Sequence, residues 1–259
     1  MMIDTHCHIY GSEYEEDREP VIQRARQAGV ERILLPNINE TSIEPMLSLC
    51  HTFPGYCYPM MGLHPEDVTD DYSQVLDRME ELLKDFAHPY VAIGEVGLDF
   101  YWDGSRVRQQ INAFSRQIEW AVRYGLPLMI HSRSAHSELV QTIRQYASEE
   151  LFGVFHCFGG TLEEAQELLS FNNFVLGIGG VLTFKKSPLP DVLRQIPLQR
   201  IVLETDSPYL TPVPYRGKRN EPAYVAEVMR KVADIYNVSP HEVEKVTNSN
   251  VKRIFSRVN

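Results

Sequence analysis

The chain has 259 residues, of which 43% are hydrophobic and 23% charged, proportions that favour one large buried core over two small domains. No apolar run approaches the roughly 20 residues that span a bilayer, and the first residues lack the basic and apolar segments of a signal peptide. The sequence therefore predicts a cytoplasmic protein without membrane contact.

A net charge of -10 argues against binding nucleic acid through bulk electrostatics. It leaves an anionic substrate open, because bound metals and clustered Lys or Arg reverse the field within one cleft.

Eight short apolar segments recur along the chain, separated by amphipathic stretches. Segments such as 32–36 and 200–204 are continuously apolar at their centres, which is typical of parallel strands buried on both faces. The predicted strands are 2–8, 32–36, 57–64, 91–97, 127–131, 153–158, 174–180 and 200–206.

Helical patterns lie between the predicted strands. The segment 17–28 ends at Gly29, a residue type common just after a helix. Further helices are predicted at 73–86, 106–124, 161–171 and 222–236, and from residue 239 onward. The apolar stripe of the first of these consists of Val75, Met79, Leu82, Leu83 and Phe86. Thr161 with Glu164, and Ser239 with Glu242, form two capping-box patterns at helix starts.

This alternation predicts an α/β protein of the (β/α)8 TIM-barrel class, of the metal-dependent hydrolase type, with one domain over 1–259. Eight strands alternating with helices imply a parallel sheet, and closure into a barrel suits this length. An open, doubly wound sheet is the alternative. It is disfavoured because no Gly-x-Gly-x-x-Gly pattern follows the first strand.

Metal-capable side chains stand at or near the ends of several predicted strands. Such barrels carry their active sites at the carboxyl ends of the strands, so these side chains are expected to meet on one rim. A lone histidine in an apolar strand is usually a core residue, but ionisable groups at five separate strand ends would each cost several kcal/mol if buried and unpaired. Imidazole and carboxylate donors together suit Zn or Mn, and Mg where carboxylate and water dominate. The candidate ligands are His6, His8, Glu95, His131, His156 and Asp206.

The segments around these residues resemble the TatD-type metal-dependent deoxyribonucleases of the amidohydrolase-like barrel superfamily. The matching motifs follow the family's order across nearly the whole chain. They are DTHCH (4–8), GLHP (62–65), GEVGLD (94–99), PLMIHSR (127–133), HCFGG (156–160), ETDSPYL (204–210) and NEP (220–222). Many members of the larger superfamily carry a carboxylated lysine after the fourth strand. Glu95 takes that place here, which favours the TatD-like branch.

The resemblance implies a site for two divalent metal ions, with Mg, Mn and Zn as the candidates. His6, His8 and Asp206 would hold one ion, His131 and His156 the second, and Glu95 would bridge them. Asp206 and Glu95 are the expected catalytic residues, with Asp206 able to orient or deprotonate the attacking water.

Other polar and aromatic side chains are expected around this centre. Asp4 and Glu204 stand two residues before His6 and Asp206, and such carboxylates often orient metal-bound histidines; a purely structural role is the alternative. The expected substrate-binding residues are His64, Arg133, Lys185 and Arg216, within a larger set of loop cations that includes Lys186, Lys218 and Arg219. Tyr101, Trp102 and Tyr209 are candidates for stacking on bases or for packing beneath loops.

The leading hypothesis is a deoxyribonuclease that hydrolyses DNA phosphodiester bonds as an exonuclease on single-stranded or frayed ends, with no obligate protein partner. The residues alone indicate metal-assisted hydrolysis, and the resemblance adds the DNA. The alternative enzyme hydrolyses an ester or amide, such as a lactone, a cyclic amide or an aminoacyl-tRNA. A metal-binding barrel without catalysis is a third possibility, which the complete ligand set disfavours.

Overall fold

The structure is a computed structural model that describes residues 1–85, 87–101, 104–146 and 150–258. Along these ranges, eight parallel strands alternate with helices. The strands are β1 (Met2–Asp4), β2 (Val30–Leu35), β3 (Cys57–Pro59), β4 (Ile93–Asp99), β5 (Leu128–Arg133), β6 (Gly153–Phe155), β7 (Phe174–Ile178) and β8 (Ile201–Leu203). The α-helices are α1 (Arg18–Gln27), α2 (Glu40–Thr52), α3 (Tyr72–Glu81), α4 (Val107–Tyr124), α5 (His136–Arg144), α6 (Leu162–Leu169), α7 (Leu189–Leu193), α8 (Val225–Tyr236) and α9 (Pro240–Ile254).

The strands form two parallel ladders that backbone hydrogen bonds join into a ring. One ladder has the order β1-β2-β3 and the other β4-β5-β6-β7-β8. Between β3 and β4, the N–H of Val91 donates to the oxygen of Pro59 at 2.8 Å. Between β1 and β8, the N–H of Thr5 donates to the oxygen of Leu203 at 3.1 Å. This confirms the predicted (β/α)8 barrel.

Apolar side chains fill the barrel and the layer between the barrel and its helices. The inward-facing set includes Ile3, Leu34, Met60, Met129, Val154, Val175 and Val202. Phe255 and Ile254, at the end of α9, pack against this set, and Asn250 of α9 donates to the backbone oxygen of Ile201 at 2.7 Å. Helix α9 therefore covers the amino-terminal end of the barrel, and the polar side chains gather at the opposite end.

All eight predicted strands are present, but several end earlier than predicted. β1, β6 and β8 stop before His6, His156 and Asp206, so these residues lie in the segments that follow the strands. The backbone adopts left-handed φ values of 49° at Cys157 and 56° at Asp206. A left-handed residue ends the extended conformation, which explains the early strand ends at β6 and β8.

The predicted helices are also present, with shifted bounds. α3 ends at Glu81 rather than at 86, and Phe86 itself lies outside the described residues. Residues Pro222–Tyr224 form a 3-10 turn before α8. The capping box of Thr161 and Glu164 forms in both directions at the start of α6. Within the described ranges, no helix is long and apolar enough to cross a bilayer.

Candidate metal centre

The carboxylate of Glu95 lies at the centre of the site. Glu95 is the third residue of β4 and is only 3% exposed. Its Oε2 lies 3.2 Å from His6 Nε2 and 3.4 Å from His8 Nε2. Its Oε1 lies 3.0 Å from His131 Nδ1 and 3.0 Å from His156 Nε2. Each oxygen of one carboxylate thus faces a separate pair of imidazoles, an arrangement that can bridge two cations.

Asp206 adds a second carboxylate to the first pair of imidazoles. Its Oδ1 lies 3.7 Å from the Nε2 atoms of both His6 and His8. Burial raises the pKa of Asp206 to about 6, with the nearby imidazoles of His156 and His8 acting in the opposite direction. At neutral pH the side chain is therefore a carboxylate that can still accept a proton.

The hydroxyl of Tyr10 sets the tautomer of His8. The hydroxyl of Tyr10 donates to the backbone oxygen of Pro36 at 2.6 Å, which uses its only proton. His8 Nδ1 lies 3.0 Å from the same hydroxyl and must be the donor in that contact. The lone pair of His8 is then on Nε2, the atom that faces Glu95. No sequence pattern indicated this role for Tyr10.

His131 lies between two carboxylates. Its Nε2 is 2.8 Å from Asp99 Oδ2 and its Nδ1 is 3.0 Å from Glu95 Oε1. Burial alone would lower the pKa of His131, but these two carboxylates raise it. A neutral ring that keeps its proton on the Asp99 side would offer the lone pair of Nδ1 to a cation. Burial alone would raise the pKa of Asp99, but hydrogen bonds from His131 and from the N–H of Tyr101 hold it below its ordinary value. Sequence analysis missed this role of Asp99, although strand alternation puts residues 95, 97 and 99 on one face of β4.

Glu204 lies beside His156. Its Oε1 is 3.4 Å from His156 Nδ1 and accepts the N–H of Cys157 at 2.5 Å. Glu204 is fully buried, and Gly177 of β7 makes room for it, since a Cβ at Gly177 would lie 2.2 Å from Glu204 Oε2. The role of Glu204 in orienting a histidine stays a prediction, with His156 as the ring beside it.

Asp4 supports the backbone of the site rather than a ring. Its oxygens accept the N–H of His6 at 3.3 Å, and the N–H and hydroxyl of Thr205 at 2.9 and 2.6 Å. These contacts fit the structural role that the sequence left open as the alternative for Asp4. The buried side chain ties the end of β1 to the segment after β8, and burial raises its pKa to about 8.

His64 points an N–H into the site rather than a lone pair. Its Nδ1 accepts the N–H of Glu66 at 3.2 Å, so its proton is on Nε2. That Nε2 lies 3.3 Å from Glu95 Oε1. His64 is therefore a hydrogen-bond donor at the centre. It differs in this from His6, His8, His131 and His156, each of which can turn a lone pair toward Glu95.

The predicted substrate-binding cations lie at two places on the mouth of the barrel. Arg133, at the end of β5, stacks on Tyr101 with 3.7 Å between guanidinium carbon and ring centroid. Arg216 stacks on Phe184 at 3.9 Å, next to exposed Lys185. Tyr209 stands beside His8, with ring centroids 6.3 Å apart. Trp102, another predicted stacking residue, lies outside the described residues.

The donor atoms suit divalent metal ions. Three overlapping groups bring one donor atom of each member within 4.8 Å of the others: His6, His156 and Asp206; His6, His8 and Glu95; His64, Glu95 and His131. Burial alone would raise the pKa of Glu95, but the facing imidazoles hold it well below its ordinary value, so its carboxylate is ionised. Imidazole nitrogens combined with carboxylate oxygens suit Zn, Mn or Mg. In the third group, the tautomer of His64 disfavours this residue as a ligand.

Comparison with known proteins agrees with this chemistry. Residues 3–256 match the family described as TatD related DNase. The chain is 38% identical to an uncharacterized metal-dependent hydrolase, YabD, of Bacillus subtilis, with 100% of both chains covered. It is 33% identical to the 3'-5' ssDNA/RNA exonuclease TatD of Pectobacterium carotovorum, covering 98% of this chain and 99% of the relative.

A solved structure supports the same assignment. The fold matches that of YJJV, a TatD homolog from Escherichia coli, with a TM-score of 0.92 and 29% identity over 98% of each chain. The family match over residues 3–256 includes all the candidate ligands. This chain therefore belongs to the TatD-related DNase family of metal-dependent hydrolases.

Proposed function

We propose that this protein is an exonuclease that removes nucleotides from the 3' end of single-stranded DNA. The observation that carries the proposal is the bridging position of Glu95, whose Oε1 and Oε2 face separate pairs of imidazoles at 3.0–3.4 Å. Two-metal centres of this kind are common in enzymes that hydrolyse phosphodiesters. The DNA and the polarity rest on the similarity to the Pectobacterium exonuclease.

The division of the metal ligands follows from membership of the TatD-related family. On that basis, His6, His8 and Asp206 would hold one ion, His131 and His156 a second, with Glu95 shared between them. The distances of 3.7 Å from Asp206 Oδ1 to Nε2 of His6 and of His8 are compatible with this division. Two divalent cations would neutralise charge on the phosphoryl oxygens and make water acidic enough to attack near neutral pH. The ligands come from segments between the end of β1 and the end of β8, which supports a single domain over 1–259.

The chain's own residues supply the proton transfers. Asp206 is a buried carboxylate whose pKa is raised to about 6, so it can take up the proton of the attacking water. His64 presents an N–H at Nε2, close to Glu95, where it can donate to a phosphoryl oxygen or to the leaving oxygen. Tyr10 and Asp99 hold His8 and His131 in the tautomers that direct their lone pairs inward.

A time course on end-labelled DNA tests the proposal. Purified protein is incubated with Mg, Mn or Zn and with a single strand labelled at its 5' end, a duplex, and RNA of the same sequence. We expect a ladder that shortens from the 3' end, fastest on single-stranded DNA, and loss of at least about 1,000-fold in Asp206→Asn and Glu95→Gln. Hydrolysis of lactones or aminoacyl esters, with no cleavage of DNA under any metal, would contradict the proposal and favour the ester and amide alternative.

A further inference from the structure

Four exposed cations stand together on the loops that follow β7 and β8. Lys185 and Lys186 follow β7, and Arg216 and Lys218 follow β8; we call these four residues the basic rim. Within the described part of the chain, none of the four forms an ion pair with a carboxylate. Their neighbour Arg219 differs, because it binds Asp17 through two bonds of 2.8 and 2.7 Å. The charge of Arg219 is thus neutralised by Asp17, whereas the positive charges of the basic rim remain able to bind an anion.

The basic rim is held firmly beside the metal centre. The guanidinium of Arg216 stacks on Phe184, and the N–H of Val213 donates to Thr183 Oγ1 at 2.8 Å, which joins the two loops. Asn220 then ties the second loop to the segment after β8, donating to the backbone oxygen of Thr205 at 2.8 Å. The two loops that carry the basic rim are therefore tied to each other and to the segment that holds Asp206.

Tyr209 marks the boundary between the metal centre and the basic rim. Its N–H donates to the backbone oxygen of Asp206 at 2.8 Å, and its ring is 52% exposed beside His8. Glu13 and Glu66 lie on the turns that follow β1 and β3, whereas the basic rim lies on the loops that follow β7 and β8. The mouth thus carries carboxylates after β1 and β3 and cations after β7 and β8.

We infer that the basic rim is a subsite for single-stranded nucleic acid, which passes from the metal centre over Tyr209 and across the loops after β7 and β8. This inference rests on the proposed function. Lysine and arginine side chains provide the phosphate contacts, and the exposed face of Tyr209 stacks on a base. A chain with a net charge of -10 holds a polyanion only where its cations are concentrated. The strand follows the positive side of the mouth because Glu13 and Glu66 repel phosphate on the other side.

The test separates binding along the strand from chemistry at the centre. The rim variant combines Lys185→Ala, Lys186→Ala and Lys218→Ala. The matched control combines Lys245→Ala, Lys252→Ala and Arg253→Ala, three exposed cations of α9 at the other end of the barrel, and has the same net charge. Binding of a fluorescein-labelled oligothymidylate is measured by anisotropy in chelator over a range of salt concentrations. Hydrolysis of bis(p-nitrophenyl) phosphate, which carries a single phosphate, is measured with metal present.

We expect the rim variant to bind the oligonucleotide roughly 10–100-fold more weakly at low salt. The slope of log affinity against log salt should become shallower by about 0.7 for each phosphate that the variant no longer binds. Its hydrolysis of the small diester should fall by a much smaller factor than its affinity for the oligonucleotide, and the control should match wild type in both assays. In the same assay, Tyr209→Ala should lose about tenfold in affinity, while Tyr209→Phe should keep most of it.

Three results would overturn the inference: unchanged affinity and salt dependence in the rim variant, an equal loss in the α9 control, or a parallel loss of small-diester hydrolysis. A wild-type protein that binds the oligonucleotide but never cleaves it contradicts the proposed function instead. The binding comparison between the rim variant and the control still decides the role of the basic rim in that case.

Discussion

The imidazole of His131 donates its Nε2 proton to the carboxylate of Asp99 across 2.8 Å. A neutral imidazole has one donor and one acceptor nitrogen, so a neutral His131 that keeps this bond offers the lone pair of Nδ1 on the side of Glu95. Asp99 therefore prepares one imidazole of the second pair for a cation. Residues that hydrogen bond to the candidate metal ligands, such as Asp99, contribute to this site as well as the ligands themselves.

Asp99→Ala is expected to weaken metal binding by about 10–100-fold, because His131 loses the partner that fixes its tautomer. Asp99→Asn should lose less, since its amide oxygen can still accept the Nε2 proton. Calorimetric titration with Mn or Zn measures both variants. Asp191→Ala, at an exposed carboxylate on α7, serves as the control, and equal affinities for all the proteins would refute this role of Asp99.

His64→Gln is expected to keep its metal content but to lose roughly 100-fold in kcat, because His64 presents an N–H rather than a lone pair. His131→Gln and His156→Gln should instead lose bound metal. Metal analysis of the purified variants, together with rates of diester hydrolysis, distinguishes the two behaviours. Loss of metal from His64→Gln would show that Nε2 of His64 carries a lone pair and not the proton.

Gly177→Ala is expected to reduce metal affinity about 10–100-fold, because the added Cβ would lie 2.2 Å from Glu204 Oε2 and displace that buried carboxylate from His156. Glu204→Gln should have a comparable effect, and the double variant should lose less than the sum of the two, since both act through one contact. Gly104→Ala, where an added Cβ meets no atom within 4 Å, is the control. A simple sum of effects would argue against the shared contact.

Asp4→Asn is expected to stabilise the protein increasingly as the pH rises. Burial raises the pKa of Asp4 from its ordinary value of 3.8 to about 8, so the folded protein retains a proton that the unfolded chain releases above its lower pKa. The stability of the wild type should therefore fall as the pH rises between about 4 and 8, and level off above that interval. Asparagine has no such proton to lose.

Thermal unfolding of Asp4→Asn and wild type in chelator, at about pH 5, 6, 7 and 8, measures this effect. The difference in unfolding temperature should grow in favour of the variant across the series. Asp70→Asn, at a side chain that is 88% exposed, should show no such trend. A constant difference for Asp4→Asn would mean that this carboxyl is ionised in the folded protein.

The sequence was sufficient to predict the barrel, because buried parallel strands are continuously apolar. Neighbouring strands in the barrel are also consecutive in the sequence, so their order can be predicted without knowledge of distant contacts. It was less informative about where strands end. The left-handed backbone at Asp206 and Cys157 depends on contacts between loops that are distant in sequence. Helix α2 was not predicted, and Pro45 within it argues against a helix when only the local sequence is considered.

The candidate ligands could be predicted because each stands at or near the end of an apolar strand. Their supporting contacts could not, because Asp99 and His131 are 32 residues apart, and Tyr10 acts through the backbone of Pro36. Sequence spacing alone did not predict which atoms of His6 the carboxylate of Asp4 would contact. Asp4 stands two residues before His6, and its carboxylate accepts the backbone N–H of His6.

The packing of α9 against the amino-terminal end of the barrel has a kinetic consequence. With Phe255 and Ile254 filling that end, we expect ions, substrate and product to pass through the opposite mouth, where Tyr209 is exposed. An oligonucleotide bound across that route would obstruct the escape of the cations beneath it. Extraction of metal by a chelator should therefore slow down when a non-hydrolysable oligonucleotide is added, and the same ligand should equally delay reloading of the stripped protein.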